Sequence, residues 1–190
     1  MSDLLRYVAS LDPADARPGG APVDRWDPPY CGDMDLVIRR DGVWMHEGSP
    51  IGRAPLVRLL SSIIKKEGDR YYLVSPNEKI GIRVEDSPFL AVLMRMEAGP
   101  HGRRLIFTTN VGEEIAAGAD HPVEFRSQPT GYAPYLRVRR NLDARVARAA
   151  FYELVELCEQ RSVEGRTEFG VVSDGVFFSF GAADAILGGA

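Results

Sequence analysis

Cysteine is nearly absent: Cys31 and Cys158 are the two in 190 residues. That excludes a disulfide framework and fits a reducing compartment, with a single Cys31–Cys158 bridge as the alternative. Histidine is as sparse. His46, His101 and His121 stand far apart, without the H-x-x-x-H or C-x-x-C spacing of a metal site, so neither metal nor cofactor is expected. Lysine is confined to positions 65, 66 and 79, which leaves Arg to carry most of the positive charge. Arg suits bidentate phosphate contacts, although a biased genome composition gives the same pattern. No apolar run approaches the roughly 20 residues that span a bilayer. The start, Met1-Ser2-Asp3, lacks the basic stretch and apolar core of a secretory leader. The expected compartment is the cytoplasm, with no membrane partner. A net charge of −4 excludes the basic surface that a nucleic-acid polymer needs. It leaves room for one small anionic ligand held by a few local arginines. The phosphate-loop patterns and G-x-S-x-G are also missing, so no motif argues for an enzyme.

What is present is an ordinary globular balance, 45% hydrophobic and 26% charged. Residues 2–11 predict a short helix with Leu4, Leu5, Val8 and Leu11 on one side. Asp12 to Pro29, rich in Pro, Gly, Ala and Asp, reads as a surface arm pinned at its end by Trp26 and Pro28-Pro29. Asp41-Gly42 between Leu36–Arg39 and Val43–His46 predicts a hairpin. Leu56, Leu59, Leu60 and Ile63 share a helical face; Pro55 suits its first turn and Gly68-Asp69 its end. Strands are expected at Tyr71–Ser75, Lys79–Glu85 and Phe89–Met96. Further strands are expected at Leu105–Thr109, Glu113–Ala117, Val123–Arg126 and Tyr135–Arg139. A second helix is expected over Ala144–Gln160, then a hairpin of Phe169–Ser173 and Val176–Phe180 around Asp174-Gly175. The Gly- and Ala-rich end, Gly181–Ala190, is expected to be partly mobile. The domains predicted are an arm over 1–24 and α+β domains over 25–88 and 89–190.

The two helices suggest a repeat. Arg53, Leu56, Leu59, Leu60 and Ile63 match Arg148, Phe151, Leu154, Val155 and Cys158 at a constant offset of 95. Leu36–Arg40 resembles Leu136–Arg140, and Tyr72–Ser75 resembles Gly170–Ser173, at similar offsets. The expectation is a two-lobed α+β fold, a duplicated strand–helix–strand core with antiparallel sheets. Clefts between domains are preferred ligand sites, so a ligand is expected at the seam between the copies.

Candidate contacts follow from charge and position. Arg53 precedes a helix N-terminus, where free N–H groups attract anions; the alternative is a turn in which it pairs with Glu85 or Asp86. Glu78 and Lys79 follow the Ser75-Pro76-Asn77 turn, and Glu85 closes the same strand; these also read as a solvated edge. Arg139 and Trp44 complete the candidate ligand contacts. Asp33 and Asp35 form a possible acid–base pair or loop carboxylates, and Cys31 packs in a turn or, less simply, is a nucleophile.

Several stretches carry a resemblance. They are Pro28-Pro29-Tyr30-Cys31-Gly32, Asp41-Gly42-Val43-Trp44, Gly48–Arg53, Tyr71–Lys79 and Val84–Phe89. In the second half they are Thr109–Gly112, His121-Pro122, Pro134–Arg139, Phe151–Val155 and Gly175–Phe178. The chain resembles the bacterial domain-of-unknown-function family numbered 1285 over nearly its whole length beyond the arm. Leu60 departs from the aromatic expected there. The resemblance implies a duplicated α+β core whose C-terminal half is like a pleckstrin-homology barrel. It implies no enzyme activity, and it suggests a nucleotide-like ligand at the domain interface with a role in signal transduction. A protein-interaction module is the alternative expectation, followed by a hydrolase or transferase using Asp33, Glu78 or Glu85.

Overall fold

Alternation of buried and exposed residues, more than helical periodicity, governs the chain, and the fold is mostly β. The computed structural model describes residues 3–9, 11, 19–128 and 131–182. They fall into two units, Met1–Pro88 and Phe89–Ala190. Residues 183–190, most of the expected mobile end, lie outside the described residues, as do 2, 10 and 12–18 of the expected helix and arm.

The N-terminal unit opens with α1 (Asp3–Ala9) and a 3-10 turn at Val23–Arg25. Six strands follow: β1 (Tyr30–Ile38), β2 (Trp44–His46), β3 (Ser49–Pro50), β4 (Ile64–Glu67), β5 (Arg70–Val74) and β6 (Lys79–Val84). Helix α2 (Ala54–Ser62) lies between β3 and β4 in sequence. The sheet order is β3-β2-β1-β6-β5-β4, antiparallel except for the central β1/β6 pair. Leu36, Ile38, Trp44, Leu60, Ile63, Ile64 and Leu73 are buried in its core. The described part of the expected surface arm, residues 19–29, does not lie wholly on the surface. Ala21 and Val23 are fully buried, and the Ala21 N–H donates to the Ser62 carbonyl at 2.9 Å.

The C-terminal unit has β7 (Phe89–Gly99), β8 (Gly102–Thr109), β9 (Glu114–Ala116), β10 (Val123–Gln128), β11 (Gly131–Arg139) and β12 (Leu142–Val146). Its first sheet runs β9-β8-β7-β12-β11-β10. Adding six to each strand of the first sheet reproduces this order, including the central parallel pair, here β12 with β7. Each sheet is therefore two three-stranded meanders joined back to back, the first strand of one running parallel to the last strand of the other. Helix α3 (Arg148–Glu156) follows and packs on β7. A separate antiparallel sheet closes the unit: β13 (Glu159–Val163), β14 (Arg166–Ser173) and β15 (Val176–Ala182). Asp174 and Gly175, with φ of 49° and 80°, make the β14–β15 turn, whose positive φ values suit the right-handed twist of a hairpin.

Two-fold duplication thus fits, but at a different register from the helix match. Equivalent strands start about 60 residues apart, as Tyr30 and Phe89 do. The offset of 95 relates only α2 and its following meander to α3 and its meander. Both helices are shorter than expected. Ser61 and Ser62 donate to the carbonyls of Arg58 and Leu59 at the end of α2, and the chain turns directly into β4. Gly68-Asp69 is therefore the β4–β5 turn. At the second helix, Leu142, Ala144 and Val146 are buried alternately, and this period of two makes them β12.

Candidate functional site: a hollow over Gly81

Antiparallel partners share a sheet face, so register decides which side chains meet. Lys65 faces Tyr72, Tyr72 faces Gly81, and Gly81 faces Asp33; these four form one row across β4, β5, β6 and β1. In the next row Glu67 faces Arg70. The β5–β6 pairing ends at Tyr71 and Ile82, and the next residue on each strand, Arg70 and Arg83, lines the same hollow. This face carries Lys65, Arg70, Lys79 and Arg83 as cations against Glu67 and Asp33 as anions.

Gly81 leaves a gap at the centre of the row. A β-carbon there would lie 1.9 Å from Asp33 Oδ1 and 3.1 Å from an Arg70 Nη. Through this gap Asp33 reaches Arg70 at 2.7 Å, and the Tyr30 hydroxyl donates to the same Asp33 oxygen at 2.7 Å. The Arg70 guanidinium lies over the Tyr30 and Tyr72 rings, at 5.6 and 5.3 Å from their centroids. Its hydrogen bond to Tyr30, with Tyr72 and Asp33 beside it, pushes its pKa up. The resulting hollow has a volume of about 280 Å³ and is lined by Asp33, Met34, Asp69, Arg70, Gly81 and Arg83, with Tyr71, Ile82 and Val84 completing the wall. Arg83 has no hydrogen-bond or ion-pair partner among the described residues.

Beside it, Lys79 and Lys65 grip Glu67 at 3.0 and 3.1 Å. Hydrogen bonds from Lys79 and Lys65 hold the Glu67 carboxyl below its usual range, and the Glu67 contact pushes Lys79 up. The Lys79 ammonium also stands 5.2 Å from the Tyr72 centroid.

The residues expected from the sequence are scattered by comparison. Lys79 lies on this face, but the wall of the hollow does not include it. Arg53 is the exposed residue just before α2, away from the hollow's lining. Glu85 and Asp86 do not take Arg53 as a partner; Glu85 accepts from the Arg40 N–H at 3.0 Å, and the Arg40 side chain lies 3.8 Å from Asp86. Glu78 serves the β5–β6 turn, its carbonyl accepting from the Ser75 N–H. Trp44 is a core residue, 2% exposed, and its indole N–H has no hydrogen-bond partner among the described residues. Arg139, 8% exposed, is committed to Glu113 at 2.5 Å and stacks over Phe89. Burial is the dominant influence on Arg139 and lowers its pKa.

Among the described residues, no three His, Cys, Asp or Glu side chains cluster as a metal site would require. No described helix is long and apolar enough to cross a membrane.

No curated protein matches the chain. Two crystal structures of DUF1285 family proteins resemble it. The one from Silicibacter pomeroyi DSS-3 is 40% identical, with a TM-score of 0.87, and the match covers 98% of this chain and 99% of that one. The one from Shewanella baltica OS155 is 28% identical, with a TM-score of 0.52, over 65% of this chain and 91% of that one. The family model for the DUF1285 N-terminal domain, a domain of unknown function, matches residues 21–87. The DUF1285 C-terminal domain, from a protein of unknown function, matches residues 88–180, and the chain therefore belongs to the DUF1285 family.

Proposed function

We propose that this protein is a ligand-binding module whose N-terminal unit holds a small anionic ligand in the hollow over Gly81. One observation carries the reading: Arg70 on β5 and Arg83 on the neighbouring strand β6 both line one hollow, which sets like charges close together. Like charges close together on a sheet are destabilising unless an anion lies between them. Asp33 compensates Arg70, and Arg83 is left for a ligand. Arg is also the side chain best shaped for bidentate contact with a carboxylate or phosphate. A role in signal transduction and a nucleotide-like ligand accompany the reading as the family resemblance suggests them. The reading itself needs only the anion.

Thermal unfolding in rising inorganic phosphate tests it. A ligand at 100 times its Kd adds roughly 2.7 kcal/mol of stability. The wild-type protein is expected to be stabilised, Arg83→Gln to lose about tenfold in affinity or more, and Arg53→Gln to behave as wild type. Equal responses from all three proteins would remove Arg83 from the reading.

A second reading, a protein-interaction module, has its own support in the C-terminal unit. Tyr152 and Val155 on α3 are 53% and 44% exposed, and Leu93 and Met96 on β7 are 64% and 55% exposed. The pleckstrin-homology-like architecture for this half is carried by the family resemblance alone. Tyr152→Ser with Val155→Ser is expected to abolish capture of a partner and leave the phosphate response unchanged.

A further inference from the structure

Resting on the anion-binding reading, we infer that the hollow takes a small zwitterion: a carboxylate, sulfonate or phosphate joined by a short hydrocarbon spacer to a protonated amine. The wall holds two guanidiniums, Arg70 and Arg83, and two carboxylates, Asp33 and Asp69. The carboxylates are not both consumed. Tyr30 and Arg70 both donate to Oδ1 of Asp33, so Oδ2 is open. Asp69, in the exposed β4–β5 turn, has no hydrogen-bond or ion-pair partner among the described residues. Arg83 is in the same condition with the opposite sign. The hollow therefore presents an open cation and open anions at once.

Ligand charge follows from this arrangement. A polyanion would satisfy Arg83 and meet repulsion from Asp33 and Asp69. A simple monoanion would leave both carboxylates unanswered. A molecule with an anionic end for Arg83 and an ammonium end for Asp69 and Asp33 answers every open group. Met34, Ile82 and Val84 also line the hollow, whose size leaves room for only a few methylenes between the two ends. The volume of 280 Å³ sets the size, below that of most pockets for drug-sized molecules.

Matched pairs that differ by one amine test the inference: β-alanine against propionate, and taurine against ethanesulfonate. NMR titration of the full chain gives the affinity and shows whether the Arg70 and Arg83 signals move, with inorganic phosphate titrated in parallel. The amine-bearing member of each pair is expected to bind about tenfold tighter, the weight of one charge-assisted hydrogen bond. Asp69→Asn and Asp33→Asn should each shrink that ratio toward one, while Arg83→Gln weakens both members alike. Equal binding of both members, dependent on Arg83, overturns the zwitterion and leaves the anion site standing. Phosphate binding with no response to either pair does the same. No Arg83-dependent response to any of the five probes overturns both readings.

Discussion

A methyl group on Gly81 would collide with the ends of two flexible side chains, Asp33 and Arg70, and not with backbone. Such a collision is relieved by moving the side chains. Their ion pair is well exposed, 64% for Asp33 and 56% for Arg70, and exposed pairs contribute about 0–1 kcal/mol. Gly81→Ala is therefore expected to change stability by about 1 kcal/mol or less. It should also push Asp33 and Arg70 out of place at the hollow and cut phosphate affinity by about tenfold or more. Calorimetry and titration of the same variant check both, and a large drop in melting temperature with binding intact would make this glycine a folding residue. The sequence held a signal here: a glycine inside a strand marks a close approach of other atoms. Arg70 and Arg83 gave no such signal. Each is a charge on an exposed strand position, and only the pairing of distant strands brings Arg70 to Asp33 and Arg83 to the same hollow. Trp44 and Arg139 misled for the opposite reason, because their chemistry is absorbed by the core and by Glu113. The cysteines also differ in a way that residue counting misses. Cys31 is exposed, whereas burial pushes the Cys158 thiol from its ordinary 9.0 up to about 11. Iodoacetamide at pH 8 is expected to alkylate Cys31 and spare Cys158, as read by mass spectrometry of the peptides. A raised thiol pKa favours the fold below about pH 9, and that contribution is lost as pH rises toward about 11. Labelling of Cys158 should therefore rise steeply over that window.

At the scale of elements, hairpins were legible because Asp41-Gly42 and Asp174-Gly175 announce themselves, and short apolar runs between turn residues located β5, β6 and β8. Helix ends were not legible. Apolar residues at Ile63 and Ile64 continue the α2 pattern in the sequence, yet Ile64 pairs with Leu73 as the first residue of β4. A helix face and a buried strand start look alike over so few residues, and pairing with a later strand decides between them. The attachment of β14 to the larger sheet was hidden for the same reason. Ser173 is fully buried; its hydroxyl donates to the Ala117 carbonyl at 2.7 Å and accepts from the Leu105 N–H at 2.9 Å. One hydroxyl thus satisfies backbone groups from two segments of the neighbouring sheet. Ser173→Ala leaves them without that partner, and a buried unsatisfied group costs about 1–3 kcal/mol. Chemical denaturation should show a loss of that size, together with faster hydrogen exchange at the Leu105 amide. A loss smaller than about 0.5 kcal/mol would mean that other groups hold β14 in place.

For the whole molecule, the recurrence of one six-strand order in both units is the fact that organises the rest, and it shows what duplication left behind. In the C-terminal unit Arg137 and Asp143 lie opposite each other across β11 and β12, close to the turn between those strands. Asp143 accepts from Arg137 at 2.5 Å and from Arg126 at 2.7 Å, so that face is electrostatically closed. In the N-terminal unit Arg83 stands on β6 two residues from Gly81, and both line the hollow. The same topology thus presents a closed face in one unit and an open one in the other. Each unit also builds its own sheets and its own buried core, which is the condition for folding alone. Fragments 1–88 and 89–190, expressed separately, are each expected to give a β-rich circular dichroism spectrum and a cooperative thermal transition. Phosphate should raise the midpoint of the first fragment only, because Arg83, Arg70 and Gly81 all lie within it. A response from the second fragment would place the anion site on the face that Asp143 occupies. A first fragment that folds and ignores phosphate would separate the duplicated architecture from the binding role argued for its open face.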